Sequence, residues 1–274
     1  MTGSLVISAK VLFYLGSLFG IGAGTHYAVW IVPSRRWLWV GAASALLAIS
    51  FRLLGLNLEM VGDPVRIFDF SMFGWVWPGV RDQVFALVLG AGILAIASLM
   101  RLRFVAFIGA LCVAHGFGLS GHARSEGMPD LLWVLVSAHV LFAGFWFVAP
   151  LTLWPRQGHN RPDVSRRLHA FSRIAIYAVP VMIVAGLWLA LIIADGPTGL
   201  LGSTYGRLLL LKLVVITAAL ALGAYNKFRL MQPIDAGEAG AFVHLRRSLS
   251  LEFTLFLAAL ITIAAATTLF GPHS

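Results

Sequence analysis

The sequence has little charge and almost no cysteine. Only 11% of its 274 residues are charged, and Cys112 is its one cysteine. A disulfide framework within the chain and a metal site made of cysteines alone are therefore excluded. The sequence also lacks a P-loop, and its glycine-rich stretch, 20–24, follows no predicted strand. We therefore expect no nucleotide-binding domain.

Apolar residues, by contrast, make up 59% of the chain, and the mean hydropathy is +0.89. This composition leaves too little polar surface for a water-soluble globule. Runs of about 20 apolar residues recur, and only helices or closed barrels satisfy backbone polar groups in hydrocarbon. Barrel strands would alternate in polarity and be about half as long. The runs therefore predict an all-α fold, a polytopic membrane helix bundle.

Glycine, proline and charged residues divide the apolar runs into about eight predicted transmembrane helices. The predicted bounds are 5–31, 37–58, 82–100, 103–122, 131–153, 170–195, 205–228 and 248–270. Residues 1–125 hold the N-terminal four-helix half and residues 126–274 the C-terminal four-helix half. We expect both halves to form one integrated membrane domain.

The net charge of +9 comes from short basic clusters between the apolar runs. No continuous basic patch is present, so we expect no nucleic-acid binding. The clusters occupy alternate connections, at 34–36, 101–103, 156–173 and 227–247. By the positive-inside rule these face the cytoplasm, which places both termini on the outer, periplasmic side. The outer connection 59–81 contains Trp75 and Trp77, which favour a surface helix or a re-entrant turn at the membrane interface.

Small residues recur every four positions in the first predicted span, at Gly16, Gly20 and Gly24. This spacing predicts the close approach of another helix.

Histidines within two predicted spans are the main candidates for a functional site. Ionisable groups in a membrane are costly and usually mark a site, a pathway or a buried pair. His115 and His139 lie in spans four and five, roughly 10–12 Å below the outer surface. The short connection between these spans predicts antiparallel neighbours, with the two imidazoles at one level. His122 follows on nearly the same face as His115, at the surface, and we predict all three as metal ligands.

Sulfur donors and a terminal histidine are possible auxiliary ligands. Cys112 lies one turn deeper than His115, Met128 lies in the outer connection, and His273 lies at the predicted external C-terminus. Imidazole, thioether and thiol donors suit copper, particularly Cu(I), better than hard cations. Packing explains Cys112 and Met128 more simply. For His115 and His139, a structural hydrogen bond between helices is as good an explanation as a metal-binding role.

Two cations, Arg52 and Lys212, are predicted at a similar depth in spans two and seven. Both repel a metal ion, so we expect them to snorkel or to pair with Glu59, Asp69 or Asp195. Binding of an anionic group, such as the carboxylate of a cofactor, is the alternative.

Two further ionisable residues are assigned local roles. Glu252, near the inner end of the last span, is expected to pair with Arg246 or Arg247. His26 lies near the cytoplasmic side, where a solvated or interfacial position is expected.

The second half carries the motifs of a known family. These are Phe171-Ser172-Arg173-Ile174-Ala175, the run from Gly202 to Leu213, Gly223-Ala224-Tyr225-Asn226-Lys227, and Leu245-Arg246-Arg247-Ser248 with Glu252. Together with Ser120-Gly121-His122-Ala123 and Ala138-His139-Val140 upstream, they make the chain resemble the CopD family of copper-resistance membrane proteins. The first three spans match only loosely, and Trp75-Val76-Trp77-Pro78-Gly79 departs from the family pattern.

The resemblance implies a multi-pass protein of a bacterial-type inner membrane that moves copper ions. Family members commonly move copper from the periplasm to the cytoplasm, often beside a periplasmic copper-binding protein of the CopC type. On the family's motif, His122 and His139 are the metal-handling positions. Transport without an enzymatic reaction is the first hypothesis.

A membrane cytochrome is the second hypothesis. His115 and His139 would be the axial ligands of a b-type haem, and Arg52 and Lys212 would pair with its propionates. A third hypothesis, an assembly partner for a metalloenzyme, needs no internal ligands.

Overall fold

A computed structural model describes residues 2–32, 34–120, 131–156 and 161–270, and these residues form helices joined by turns. The α-helices are α1 (Thr2–Ala28), α2 (Arg36–Val61), α3 (Phe73–Met100), α4 (Arg103–Gly118), α5 (Leu132–Phe147), α6 (Ala149–Thr152), α7 (Arg161–Ile193), α8 (Gly196–Gly202), α9 (Thr204–Tyr225), α10 (Met231–Ala236) and α11 (Ala241–Leu269). The predicted all-α fold class is confirmed.

Seven helical segments in the described ranges are long and apolar enough to span a membrane. The remaining predicted span, the fourth (103–122), corresponds to α4, a shorter apolar helix of 16 residues. Large apolar side chains cover the outside of the bundle; Phe104 and Val214, for example, are 74% and 66% exposed. A surface this apolar suits lipid rather than water. The chain is therefore a multi-pass membrane protein.

Three helices begin at least seven residues earlier than the sequence predicts. α3 begins at Phe73 instead of 82, α7 at Arg161 instead of 170, and α11 at Ala241 instead of 248. The predicted spans begin with the apolar runs that follow the preceding charged stretches. Backbone hydrogen bonding continues regardless of side-chain polarity, so an apolar run marks the depth of the hydrocarbon rather than the end of the helix.

The connection between α2 and α3 is shorter than predicted and contains two 3₁₀ turns, Pro64–Arg66 and Phe70–Met72. Asp69 caps the second turn, accepting a hydrogen bond from the Ser71 amide at 3.0 Å, and it also pairs with Arg66. Hydrogen bonds from Ser71 and Arg66 hold the pKa of Asp69 below its usual value. The connection is thus ordered by its own side chains.

The helix α1 lies at the centre of the N-terminal half and packs against α2, α4, α5 and α11. A Cβ at Gly16 would lie 2.5 Å from the carbonyl oxygen of Ser44, and one at Gly20 would lie 3.1 Å from that of Gly41. At Gly24 the corresponding atom is the carbonyl oxygen of Ala106, at 2.8 Å. The predicted close helix approach is confirmed.

The bundle has two distinct ends. We call the end at which α1 finishes and α2, α4, α7 and α11 begin the basic end, because the arginine clusters lie there. The opposite end, at which α1, α3, α5 and α9 begin, is the far end. The predicted division between residues 125 and 126 falls outside the described residues and stays a prediction.

Candidate functional site

His139, in the far half of α5, faces α7. Its Nδ1 lies 3.1 Å from the carbonyl oxygen of Met182. A carbonyl oxygen only accepts hydrogen bonds, so Nδ1 donates, and in the neutral ring Nε2 keeps its lone pair. A Cβ at Gly186 would lie 2.9 Å from Cε1 of the imidazole, so this glycine leaves the space that the ring occupies. A hydrogen bond at one ring nitrogen with a free lone pair at the other is the arrangement found in metal-ligating histidines.

His115, in α4, faces α5. Its Nδ1 lies 3.5 Å from Oγ of Ser137, and its ring meets Trp133 edge-on with centroids 5.3 Å apart. Side chains two positions apart on a helix point about 200° apart around its axis. Ser137 and His139 therefore lie on nearly opposite faces of α5. The structure therefore directs the two imidazoles toward different neighbours rather than toward each other.

The other predicted ligands divide into two groups. His122, Met128 and His273 lie outside the described residues. Cys112 is a free, partly buried thiol in α4. Within the described ranges, no group of three or more His, Cys, Asp or Glu side chains is close enough to hold a metal ion.

Lys212, in α9, is near enough to His139 for their charges to interact. No carboxylate in the described part of the chain forms an ion pair with Lys212. An unpaired ammonium group beside the imidazole disfavours a bare cation there and favours one that carries anionic ligands.

Arg52 has two partners that the sequence did not predict. Its Nε donates to Oε1 of Gln83 at 3.1 Å, and its guanidinium lies 5.6 Å from the ring centre of Phe13. Glu59 interacts electrostatically with Arg52, but its direct partner is Lys10, with Nζ 2.7 Å from Oε1. Lys10 lies eight residues after the start of α1 and Glu59 two residues before the end of α2, so counting residues along the antiparallel pair does not predict this contact.

The expected pairing of Glu252 with Arg246 or Arg247 is wrong. Glu252 is 2% exposed and accepts hydrogen bonds from Nε1 of Trp146 and, at 3.4 Å, from Nδ2 of Asn226. Arg246 instead donates to the carbonyl oxygen of Pro155 at 3.0 Å. Residues five or six apart on a helix do not share a face, which explains the error.

His26 is fully buried rather than solvated or interfacial. Its Nδ1 lies 2.8 Å from Oγ1 of Thr152, and its Nε2 lies 2.8 Å from the carbonyl oxygen of Phe145. Both ring nitrogens are engaged, so His26 joins α1 to α5 and α6 and has no nitrogen free for a ligand.

Residues 165–266 match the family model described as CopD, copper resistance protein D. The matched segment is less than half of the chain and includes Lys212, Asn226 and Glu252, whereas His115 and His139 precede it. The resemblance indicated by the motifs is confirmed over this segment. No curated protein and no solved structure gives a significant match.

Proposed function

Because residues 165–266 match the copper resistance protein D family, we propose that this multi-pass membrane protein transports copper ions across the bilayer. The family match within a bundle of membrane-spanning helices is the observation that carries the proposal. We assign transport rather than catalysis to the chain.

We propose His139 as the central copper ligand. The free lone pair expected on Nε2, the hydrogen bond that orients the ring toward Met182, and the space left by Gly186 support this role. Lys212 would stabilise anionic ligands that accompany the copper ion. Its ammonium group would also prevent a bare cation from being held too tightly to leave.

The remaining predicted ligands belong to the approach to this site. His122 would capture copper at the surface of the far end, and His115 would receive it inside the bundle. Cys112, Met128 and His273 are proposed as auxiliary donors. Soft sulfur and imidazole ligands along one route suit Cu(I).

We propose that the basic end faces the cytoplasm, which places the far end and both termini in the periplasm of an inner membrane. Copper would then enter from the periplasm, where a CopC-type protein would deliver it. A membrane potential of about 100 mV, negative inside, favours inward passage of one positive charge by about 2.3 kcal/mol. Alkaline phosphatase fused after the last residue should be active in this orientation, and inactivity would overturn it.

Copper accumulation in expressing cells tests the transport proposal. We expect His139→Gln, which keeps a side-chain amide to donate to the Met182 carbonyl, to reduce accumulation to that of cells without the protein. The matched control is His244→Gln, at an exposed histidine of the basic end, which should accumulate copper normally. Equal accumulation in both variants would refute the role of His139.

The same purified proteins test the haem alternative. Total metal analysis and an absorption spectrum are recorded on each sample after growth with haem precursor. Copper that is lost in His139→Gln, without Soret absorbance in the wild type, supports the copper site. A Soret band that is lost in both His115→Gln and His139→Gln would replace transport by a cytochrome function.

A further inference from the structure

A cavity of about 430 Å³ lies in the basic half of the bundle, between α5, α7, α9 and α11. Most of its wall is apolar, with Leu168, Phe171 and Leu220 among the lining side chains. Its polar boundary includes Glu252 and Asn226. An apolar cavity of this size with a few convergent polar groups is typical of a small-molecule site.

The polar groups at this boundary have spare capacity to accept hydrogen bonds. Among the described residues, Glu252 accepts hydrogen bonds only from Trp146 and Asn226, whereas a carboxylate has about four acceptor positions. Asn226 is 8% exposed, and its Oδ1 has no hydrogen-bond partner among the described residues. Because Nδ2 of the same amide donates to Glu252, Oδ1 is the atom left over. Buried acceptors of this kind are costly unless a donor reaches them.

Both helices that flank the cavity depart from regular α-helical geometry beside it. Pro180 lies inside α7, where it removes the backbone donor for the carbonyl of Ile176, and both residues line the cavity. On the opposite side, Asn226–Leu230 form a π-helical turn that continues α9. π turns within helices occur frequently at functional sites. These irregularities are independent of the unpartnered acceptors and point to the same place.

We propose that this cavity binds a membrane-soluble small molecule with an apolar body and a head group that donates hydrogen bonds. The head group, a hydroquinone or a primary amine, contacts Glu252 and Oδ1 of Asn226, and the body lies between α7 and α9. Lys227 also lines the cavity, but no ion pair joins it to Glu252 in the described ranges. Its ammonium group lies 5.3 Å from the ring centre of Phe228, so the carboxylate remains available to a donor.

Three synthetic probes with the same decyl chain separate the possible head groups. Decylhydroquinone donates two neutral hydrogen bonds, decylamine donates from a cation, and the dimethoxy ether of decylhydroquinone donates none. Binding is measured by titration calorimetry on the full-length protein in lipid nanodiscs, with empty nanodiscs as the blank. We expect saturable binding of at least one donor probe, and binding about tenfold weaker for the ether.

Two variants change opposite walls of the cavity. Glu252→Gln removes the charge but keeps an acceptor for Trp146, and Ala175→Phe fills the space beside α7. Each should weaken binding by about tenfold or more. The matched control for the second is Val184→Phe, on the same helix but 61% exposed and outside this cavity. It should bind like the wild type.

Each result supports or overturns the site. Stronger binding of decylhydroquinone than of decylamine supports the site and identifies a hydroquinone head group. Stronger binding of decylamine, with a larger loss of affinity in Glu252→Gln, supports the site and identifies a primary amine. Equal binding by the wild type and Ala175→Phe would mean partition into lipid and would overturn the site. Equal affinity for the ether, or no saturable binding of either donor probe to the wild type, would overturn it too. Copper accumulation is a separate property, so its presence or absence does not decide this proposal.

Discussion

The imidazole of His139 occupies the space that Gly186 leaves open on α7, with Cε1 2.9 Å from the position of a Cβ. The carbonyl oxygen of Met182, one turn earlier on the same helix, accepts the hydrogen bond from Nδ1. The missing side chain and the carbonyl therefore fix the ring between α5 and α7. A ligand that uses Nε2 depends on both contacts.

We predict that Gly186→Ala lowers copper accumulation by about tenfold, because the added methyl group displaces the His139 ring and misdirects Nε2. Accumulation is measured in cells that express equal amounts of protein. The matched control is Gly92→Ala in α3, where no other described part of the chain, apart from the adjacent backbone of the same helix, lies within 4 Å of the added Cβ. Normal accumulation in Gly186→Ala would show that the position of the ring does not limit transport.

Removal of the buried His26 should destabilise the bundle. His26→Ala leaves the carbonyl of Phe145 without its donor, takes a partner from Thr152 and creates a cavity. We expect the free energy of unfolding to fall by about 2–5 kcal/mol. The expected readout is a thermal unfolding midpoint several degrees lower in detergent.

The control for this experiment is His244→Ala, at an exposed histidine, which should change stability by less than about 0.5 kcal/mol. If the two variants unfold at the same temperature, the hydrogen bonds of the buried ring do not contribute to stability.

The contact between α1 and α5 depends on a pair of glycines. A Cβ at Gly22 would lie 2.5 Å from both the carbonyl oxygen of Gly144 and Cβ of Val148. We therefore expect Gly22→Ala to separate the helices and to lower the free energy of unfolding by about 1–3 kcal/mol. Gly3→Ala in the same helix meets only Leu269, at an ordinary 3.6 Å, and serves as the control. Equal unfolding midpoints for these two variants would contradict the close packing.

The connection between α2 and α3 should loosen in acid. Hydrogen bonds from Ser71 and Arg66 lower the pKa of Asp69. The contribution of the ionised carboxylate to the stability of this connection is therefore fully present above the unfolded-state pKa, about 3.9. It is lost as the pH falls through the lower folded-state pKa. Amide exchange at Ser71, corrected for the intrinsic effect of pH, should therefore rise on acidification.

At neutral pH the variant Asp69→Asn should exchange at Ser71 as the acidified wild type does. Glu238→Gln, an exposed carboxyl change at the basic end, is the control and should leave this exchange unchanged. Slow exchange in Asp69→Asn would mean that the backbone turn persists without the carboxylate.

The sequence predicts the helical membrane fold because long apolar runs have few alternatives in lipid. It predicts helix starts less well: α7 begins at Arg161, within a polar stretch that contains Asp163 and Arg166. The backbone ladder of α7 extends beyond the apolar run, and an apolar pattern cannot reveal that extension.

The sequence predicts how deep the candidate site residue His139 lies in the bundle, but not which neighbouring helix its ring faces. The position of His139 along α5 follows from counting residues, whereas the contact of its ring with Met182 depends on how α5 is rotated against α7. That rotation is set by small residues such as Gly186, whose role appears only once the two helices are side by side. The hydrogen bond between Trp146 and Glu252 joins residues 106 positions apart and has no local sequence signal.

The same hydrogen bond determines how this protein can be cut and recombined. The family match begins at residue 165, after Trp146, yet the carboxylate that Trp146 contacts lies within the matched segment. A chimera that transplants only residues 165–266 into another scaffold would carry Glu252 without its indole donor and without the α5 wall of the cavity. The smallest unit that can be exchanged intact therefore starts no later than Leu132, at the beginning of α5.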